Sequence, residues 1–245
     1  MKYIFTDIST HLDFGFGVTA GKFRDAAEFL NQAEDYNSKM QSDELPTFYL
    51  YRHSIELYLK SLIIILHNKL QLPYKNGEVT FDTNTPYVYN QKKNQWNELT
   101  KIHDIDTLYS YFMSLIAEHK PLLNQKAPEG GWNIEKSENE KYVNLIRNYD
   151  FDSTYFRYPV TKNSNMDHKK YGVERVDEQT FMKKLQENKP EKEFTFLVFD
   201  ENENFIEAHR KIPSRLQGVA KALKELSYYL EGIHAMTRHT LCDGW

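Results

Sequence analysis

Five residue types that can move a proton or steady a developing anion fall at helical spacing in Phe48 to His67, FYLYRHSIELYLKSLIIILH. At roughly 100° per residue, Tyr49, His53, Glu56, Lys60 and His67 fall within an arc of about 60°, with Arg52 on its flank. His53 is the candidate acid or base of that row, because an imidazole titrates near neutral pH. Nearly all the remaining circumference is apolar, from Leu50 and Ile55 through Leu59 to Ile65, which is the mark of a central helix. A charged stripe on such a helix must face a cleft, a partner or a compensating network, since burying an unpaired charge is costly. A plainer reading stands beside it: Arg52 with Glu56 and Glu56 with Lys60 are spaced i,i+4, where opposite charges meet. That pairing could occupy a solvated strip, although such a strip has no need of Tyr49 and His53 in the same row.

The elements that position this row follow from periodicity and turn residues. Gly15, Gly17 and Gly21 mark a loop before a first helix at about 22–41, amphipathic through Phe23, Ala26, Ala27, Leu30 and Ala33. Asp43 or Thr47 caps the second helix, with Pro46 in its first turn. Beyond Pro73, EVTFDTNTPYVYNQKKNQW alternates β-formers with turn residues and predicts a hairpin with strands near 79–82 and 87–90. Helical periodicity resumes at about 105–119, and Pro121 ends it. A Gly-Gly loop, a helix near 137–149, and a polar stretch to 193 with Lys169-Lys170 and a short helix near 178–187 come next. FTFLVFDENENFIEAH predicts a second hairpin turning at Asp200 to Asn204, and the segment from Pro213 to about Leu241 a long helix beside the second one.

Composition narrows the possibilities. The 245 residues carry a formal net charge of only -4, so contact with a nucleic acid requires a local basic patch. A single cysteine, Cys242, excludes a disulfide framework and a cysteine zinc site. MKYIFTDISTHL lacks the basic start and apolar core of a signal peptide, and Lys60 interrupts an apolar run too short to span a bilayer, so the expected location is cytoplasmic, away from membranes.

RHSIELYLKSLI resembles the signature helix of HEPN-type domains. Ile102-His103-Asp104 followed by Leu108-Tyr109 is similar to the segment that opens a later helix in that family, and Phe156-Arg157-Tyr158-Pro159 to an FRYP-type element of several bacterial members. The resemblance implies a mainly α fold: a HEPN-like helical bundle with long core helices, spanning 1–245 as one domain with small β-hairpin insertions near 74–100 and 160–210. It also implies RNA or nucleotide binding, a homodimer or a partner protein, and a setting in bacterial antiviral defence or a toxin-antitoxin system. The family's ribonuclease element, an arginine followed after four to six residues by a histidine, is absent: from Arg147 the window ends on Asp152, Ser153 or Thr154, and from Arg157 on Lys162, Asn163 or Ser164.

Two readings of function therefore stay open. In the first, a cleft formed by Arg52, His53, Glu56, Lys60, His103 and Arg157 engages RNA or a nucleotide. If it cleaves, as an atypical metal-independent endoribonuclease, His53 is the acid or base, Arg52 or Arg157 stabilises the phosphorane, and Glu56 orients the imidazole or pairs with Lys60. Lys60, His103, Arg157 and Tyr158 are the binding residues, Arg157 for phosphate and Tyr158 for stacking on a base. In the second, the stripe is a structural network in a non-catalytic interaction protein, with Arg157 pairing a buried acid such as Glu56.

Further constellations carry less. Glu231, His234 and Arg238 share a face of the last helix, either as a solvated helix end, with His239 beside them, or as the completion of a site with His53 and Glu56. His103-Asp104 with His67 and Asp150 or Asp152 has the donor types of a transition-metal site, but Asp106 is also a plausible helix cap, and no metal or cofactor is expected. The glycines at 15, 17 and 21 lack the Lys-Ser/Thr of a phosphate-binding loop.

Overall fold

The fold is organised by the helix that carries the polar row. In the computed structural model, which describes residues 5–33, 44–134, 137–162, 164–186, 195–212 and 214–243, α1 is Phe16–Gln32 and α2 is Glu44–Leu70. The hairpin strands β1 (Tyr87–Asn90) and β2 (Gln95–Glu98) precede α3 (Ile105–Lys126) and α4 (Ser137–Tyr149). A short α5 (Ser164–Asp167), β3 (Val173–Val176), α6 (Glu178–Gln186), β4 (Thr195–Phe199) and β5 (Phe205–Lys211) lead to α7 (Gln217–Leu241). The protein is mainly helical with two small antiparallel sheets, β1-β2 and β3-β5-β4. No described helix is long and apolar enough to cross a membrane.

Helix α2 is buried on nearly every side because α1, α3 and α7 all pack against it. Its sequence suits that place: it contains no glycine, its one proline lies in the first turn, and Ile55, Leu59, Leu62, Ile63 and Ile65 are fully buried. Small residues let α7 approach closely. Ser54 meets Ser227 at 2.7 Å and Ser61 meets His234 at 3.0 Å, equal steps along both helices, so α2 and α7 run in parallel. Helix α1 runs antiparallel to α2, with Glu28 against Tyr51 at one end and Gly21 against Tyr58 further along.

Several expected boundaries move. Helix α1 starts at Phe16, six residues early, because Gly15 takes a left-handed φ of 77° just before it and Asp13 accepts from the backbone N–H groups of Gly15 and Gly17. The stretch 34–43, which holds the expected end of that helix and Asp43, lies outside the described residues, while Thr47 is buried inside α2 and does not cap it. β1 pairs with Gln95–Glu98 and not with 79–82: Asn94 adopts φ 51° and closes the turn, whereas Val79 forms only a bridge to Tyr74 around Asn76 and Gly77. Pro121 does not end α3. It bends the helix at His119 (φ −107°, ψ 15°), and burial of Leu123 carries the chain on to Lys126.

β5 lies between β3 and β4, and a register shift between Val198 and Phe199 disturbs the β4 edge. The turn at Asp200 to Asn204 forms as expected: Asp200 accepts from the backbone of Asn202 and Asn204.

Candidate functional site

The polar row of α2 separates into a buried core and a partly exposed line. Arg52, Glu56 and Lys60 are 1 to 3% exposed at the side chain, so they do not form a solvated strip. Glu56 accepts from Arg52 and, at 2.8 Å, from Lys60 Nζ; Arg52 Nε donates to Asp150 at 2.8 Å, and a further Arg52 nitrogen donates to the carbonyl of His103. Asp150, itself buried, accepts the backbone N–H of Tyr155 at 2.8 Å and so fixes the loop leading to the FRYP element. Burial alone would raise the pKa of Glu56, but the charges of Arg52 and Lys60 and the bonds from Lys60 and His103 outweigh it and bring it from 4.5 to about 2. The three expected site residues Arg52, Glu56 and Lys60 thus join α2 to the start of α3 and to the 150–155 loop, with their donors and acceptors directed at one another.

His103 is different. Its side chain is half exposed while Nδ1 sits 2.9 Å from buried Glu56 Oε1, which leaves Nε2 with no partner among the described residues. A carboxylate that anchors one imidazole nitrogen and frees the other is the arrangement that orients a proton-transfer histidine. The next residue, Asp104 and not Asp106, caps α3 by accepting from Asp106 N and from the Thr107 hydroxyl.

One turn earlier on α2, His53 stacks on Tyr49 (ring centroids 5.7 Å apart, 9° between planes) and receives Phe23 edge-on at 4.5 Å. Its Nδ1 is buried without a hydrogen-bond partner among the described residues. Burial lowers its pKa, partly offset by Glu56 and reinforced by Arg52, Lys60 and Arg157, so the ring is held neutral. The Arg157 guanidinium lies over the Tyr49 ring, 5.4 Å from its centre, and does not pair with Glu56. Tyr155 and Phe156 are buried and anchor their segment, whereas Arg157 and Tyr158 point out from it exposed. Arg157, Tyr49, His53 and His103 are therefore strung along the Tyr49 to Glu56 stretch of α2, about 10 Å at 1.5 Å per residue.

The α7 constellation belongs elsewhere. His234 and Arg238 are buried, not a solvated helix end, and they meet neither His53 nor Glu56. Arg238 donates to Asp13 Oδ1 at 2.8 Å, Ser61 donates to Asp13 Oδ2, and His234 Nε2 lies 3.0 Å from Ser61 Oγ. Burial would raise the Asp13 pKa, but His234, Arg238, Ser61 and the Gly17 N–H hold it far below the ordinary carboxylate range. Serine, histidine and aspartate meet here without forming a nucleophilic triad: the serine proton goes to the carboxylate, the imidazole donates to the serine, and none of them reaches solvent. Glu231 pairs with Arg24 of α1 instead, and His239 is exposed. Asp13 escaped the sequence reading; its signal was an acid two residues ahead of Gly15 at a helix start.

His67 lies apart, at the far end of α2. Nδ1 donates to the Leu72 carbonyl at 2.7 Å, Nε2 accepts from the Tyr111 hydroxyl at 2.8 Å, and both nitrogens are thereby used. His67, His103, Asp150 and Asp152 do not converge, and no group of three His, Cys, Asp or Glu among the described residues is placed to hold a metal ion.

Compared with protein families, with curated proteins and with solved structures, the chain matches none.

Proposed function

We propose that this is a HEPN-like protein that binds single-stranded RNA or a nucleotide along the partly exposed line over α2, with Arg157 meeting phosphate and Tyr158 stacking on a base. The observation that supports this most is the contrast within one segment: Tyr155 and Phe156 are locked into the core by the Asp150 network, while Arg157 and Tyr158 stand exposed, Arg157 over the Tyr49 ring. Arg52, Glu56 and Lys60 serve as its scaffold. The bacterial defence or toxin-antitoxin setting belongs to the same proposal.

A second reading, atypical metal-independent ribonuclease activity, is favoured by one feature, the half-exposed His103 anchored on Glu56. It shifts the proton-transfer role from His53 to His103.

Fluorescence anisotropy with labelled single-stranded RNA tests the binding proposal. Arg157→Ala is expected to weaken binding roughly tenfold and to lower the salt slope by about 1, the signature of one lost phosphate contact. Binding that ignores salt, or an Arg157→Ala protein that binds as the parent does, overturns it. Chelator-resistant cleavage lost in His103→Ala and kept in His53→Ala would establish the ribonuclease reading; intact RNA after prolonged incubation would exclude it.

A further inference from the structure

A groove of about 420 Å³ opens where the β1-β2 hairpin meets α3 and the end of α2, away from the line just described. Its wall is aromatic. Tyr89 and Trp96, opposite each other in the hairpin, have centroids 5.2 Å apart at 50°, and Trp96 meets Tyr111 of α3 at 5.8 Å and 82°. These rings form a corner, not a flat stack.

The hydroxyl tips of that wall are already engaged, and the Trp96 indole N–H is buried, with no hydrogen-bond partner among the described residues. The Tyr111 hydroxyl bonds to His67, the Tyr89 hydroxyl donates to Asn94, and His67 spends its other nitrogen on Leu72. What the corner adds to the groove is aromatic surface, chiefly of the partly exposed Tyr89 and Trp96, whose ring faces carry the negative side of the quadrupole. On the rim stands Glu118, exposed and without an ion-pair partner among the described residues, and no lysine or arginine lines the groove. Glu118 lies in the turn of α3 that ends at the His119 bend, so the Pro121 kink shapes this edge.

We infer that this groove is a binding site for a small organic cation of the quaternary-ammonium class. Aromatic rings set at an angle attract such a cation, and a rim carboxylate with no lysine or arginine in the groove adds to the attraction. The same field disfavours anything bearing a phosphate. The volume lies at the lower end of the usual range for small-molecule pockets, enough for a compact ligand.

The test uses choline, its neutral isostere 3,3-dimethylbutan-1-ol, and adenine, each titrated into the full chain while the Trp96 indole N–H resonance is followed by NMR. Trp96→Phe assigns the signal. Choline is expected to shift it saturably and to bind at least tenfold more tightly than the isostere. Glu118→Gln, an exposed change that leaves the core alone, should weaken choline about tenfold and leave the isostere unchanged. Equal binding of choline and isostere, tighter binding of adenine, no shift with choline, or a Glu118→Gln protein that binds choline as the parent does each overturns the inference. None of these outcomes depends on RNA binding.

Discussion

Glu56→Gln is the sharpest probe of the buried network. The substitution keeps size and shape but removes the anion shared by Arg52, Lys60 and His103, and it leaves Lys60 buried with no compensating charge. Breaking a buried pair by deleting one partner costs about 3–5 kcal/mol. The titration gives an independent figure: lowering a carboxyl pKa from 4.5 to about 2 corresponds to about 3 kcal/mol in favour of the folded state. Because the folded pKa lies below the unfolded one, this contribution is complete above pH 4.5 and is lost as pH falls toward 2. Urea denaturation of parent and variant at several pH values should show a gap of about 3 kcal/mol at pH 7 that narrows through that window. In a thermal melt the same gap is a fall of about 10 °C. Asp150 keeps one bond to Arg52 in the variant and limits the loss, yet the effect should exceed that of Lys60→Met, which removes the buried cation with its bond and leaves Glu56 bound to Arg52. A gap below about 1 kcal/mol, or one that stays constant from pH 7 to pH 2, refutes the reasoning.

Two further outcomes follow from burial elsewhere. Burial, with a smaller push from His119 and a partial offset from Leu72, moves the His67 pKa from 6.5 to about 4, so the parent should lose stability as pH falls from 6.5 to 4; His67→Phe should begin less stable at pH 7 yet lose less across that range, as read from urea midpoints. A methyl group at Gly17 would overlap the His234 imidazole, whereas at Gly21 it meets only the Tyr58 hydroxyl at 3.6 Å; Gly17→Ala should cost about 2 kcal/mol and Gly21→Ala should be neutral or stabilising by about 1 kcal/mol.

How far the sequence discloses such features depends on the range of the interaction. Helix α2 was legible because apolar residues fill most of Leu50 to Leu66 and no glycine interrupts them, and α4 because its apolar spacing closes within a few turns. The β1 partner was misread because Gln95–Glu98 has little strand character and becomes a strand only once Asn94 turns the chain. The polar row was visible as a line, yet its burial was not: Asp150 lies 98 residues from Arg52, and Asp13 lies 225 from Arg238. No local pattern announces such partners. The exposed half of the site shows the same limit, since nothing in Ile102-His103-Asp104 says which imidazole nitrogen faces water.

The bond between Asp13 and Arg238 also sets an order on biosynthesis. Helix α1 emerges early with a buried carboxylate at its start, but the Arg238 cation that neutralises it and the imidazole beside it arrive only with α7, as does the parallel face that covers Ser54 and Ser61. Until then the nascent chain exposes the most apolar helix of the protein along one side, a surface for which chaperones compete. Docking of α7 is thus the event that closes the bundle, and the interval before it is when this chain is most open to misassembly.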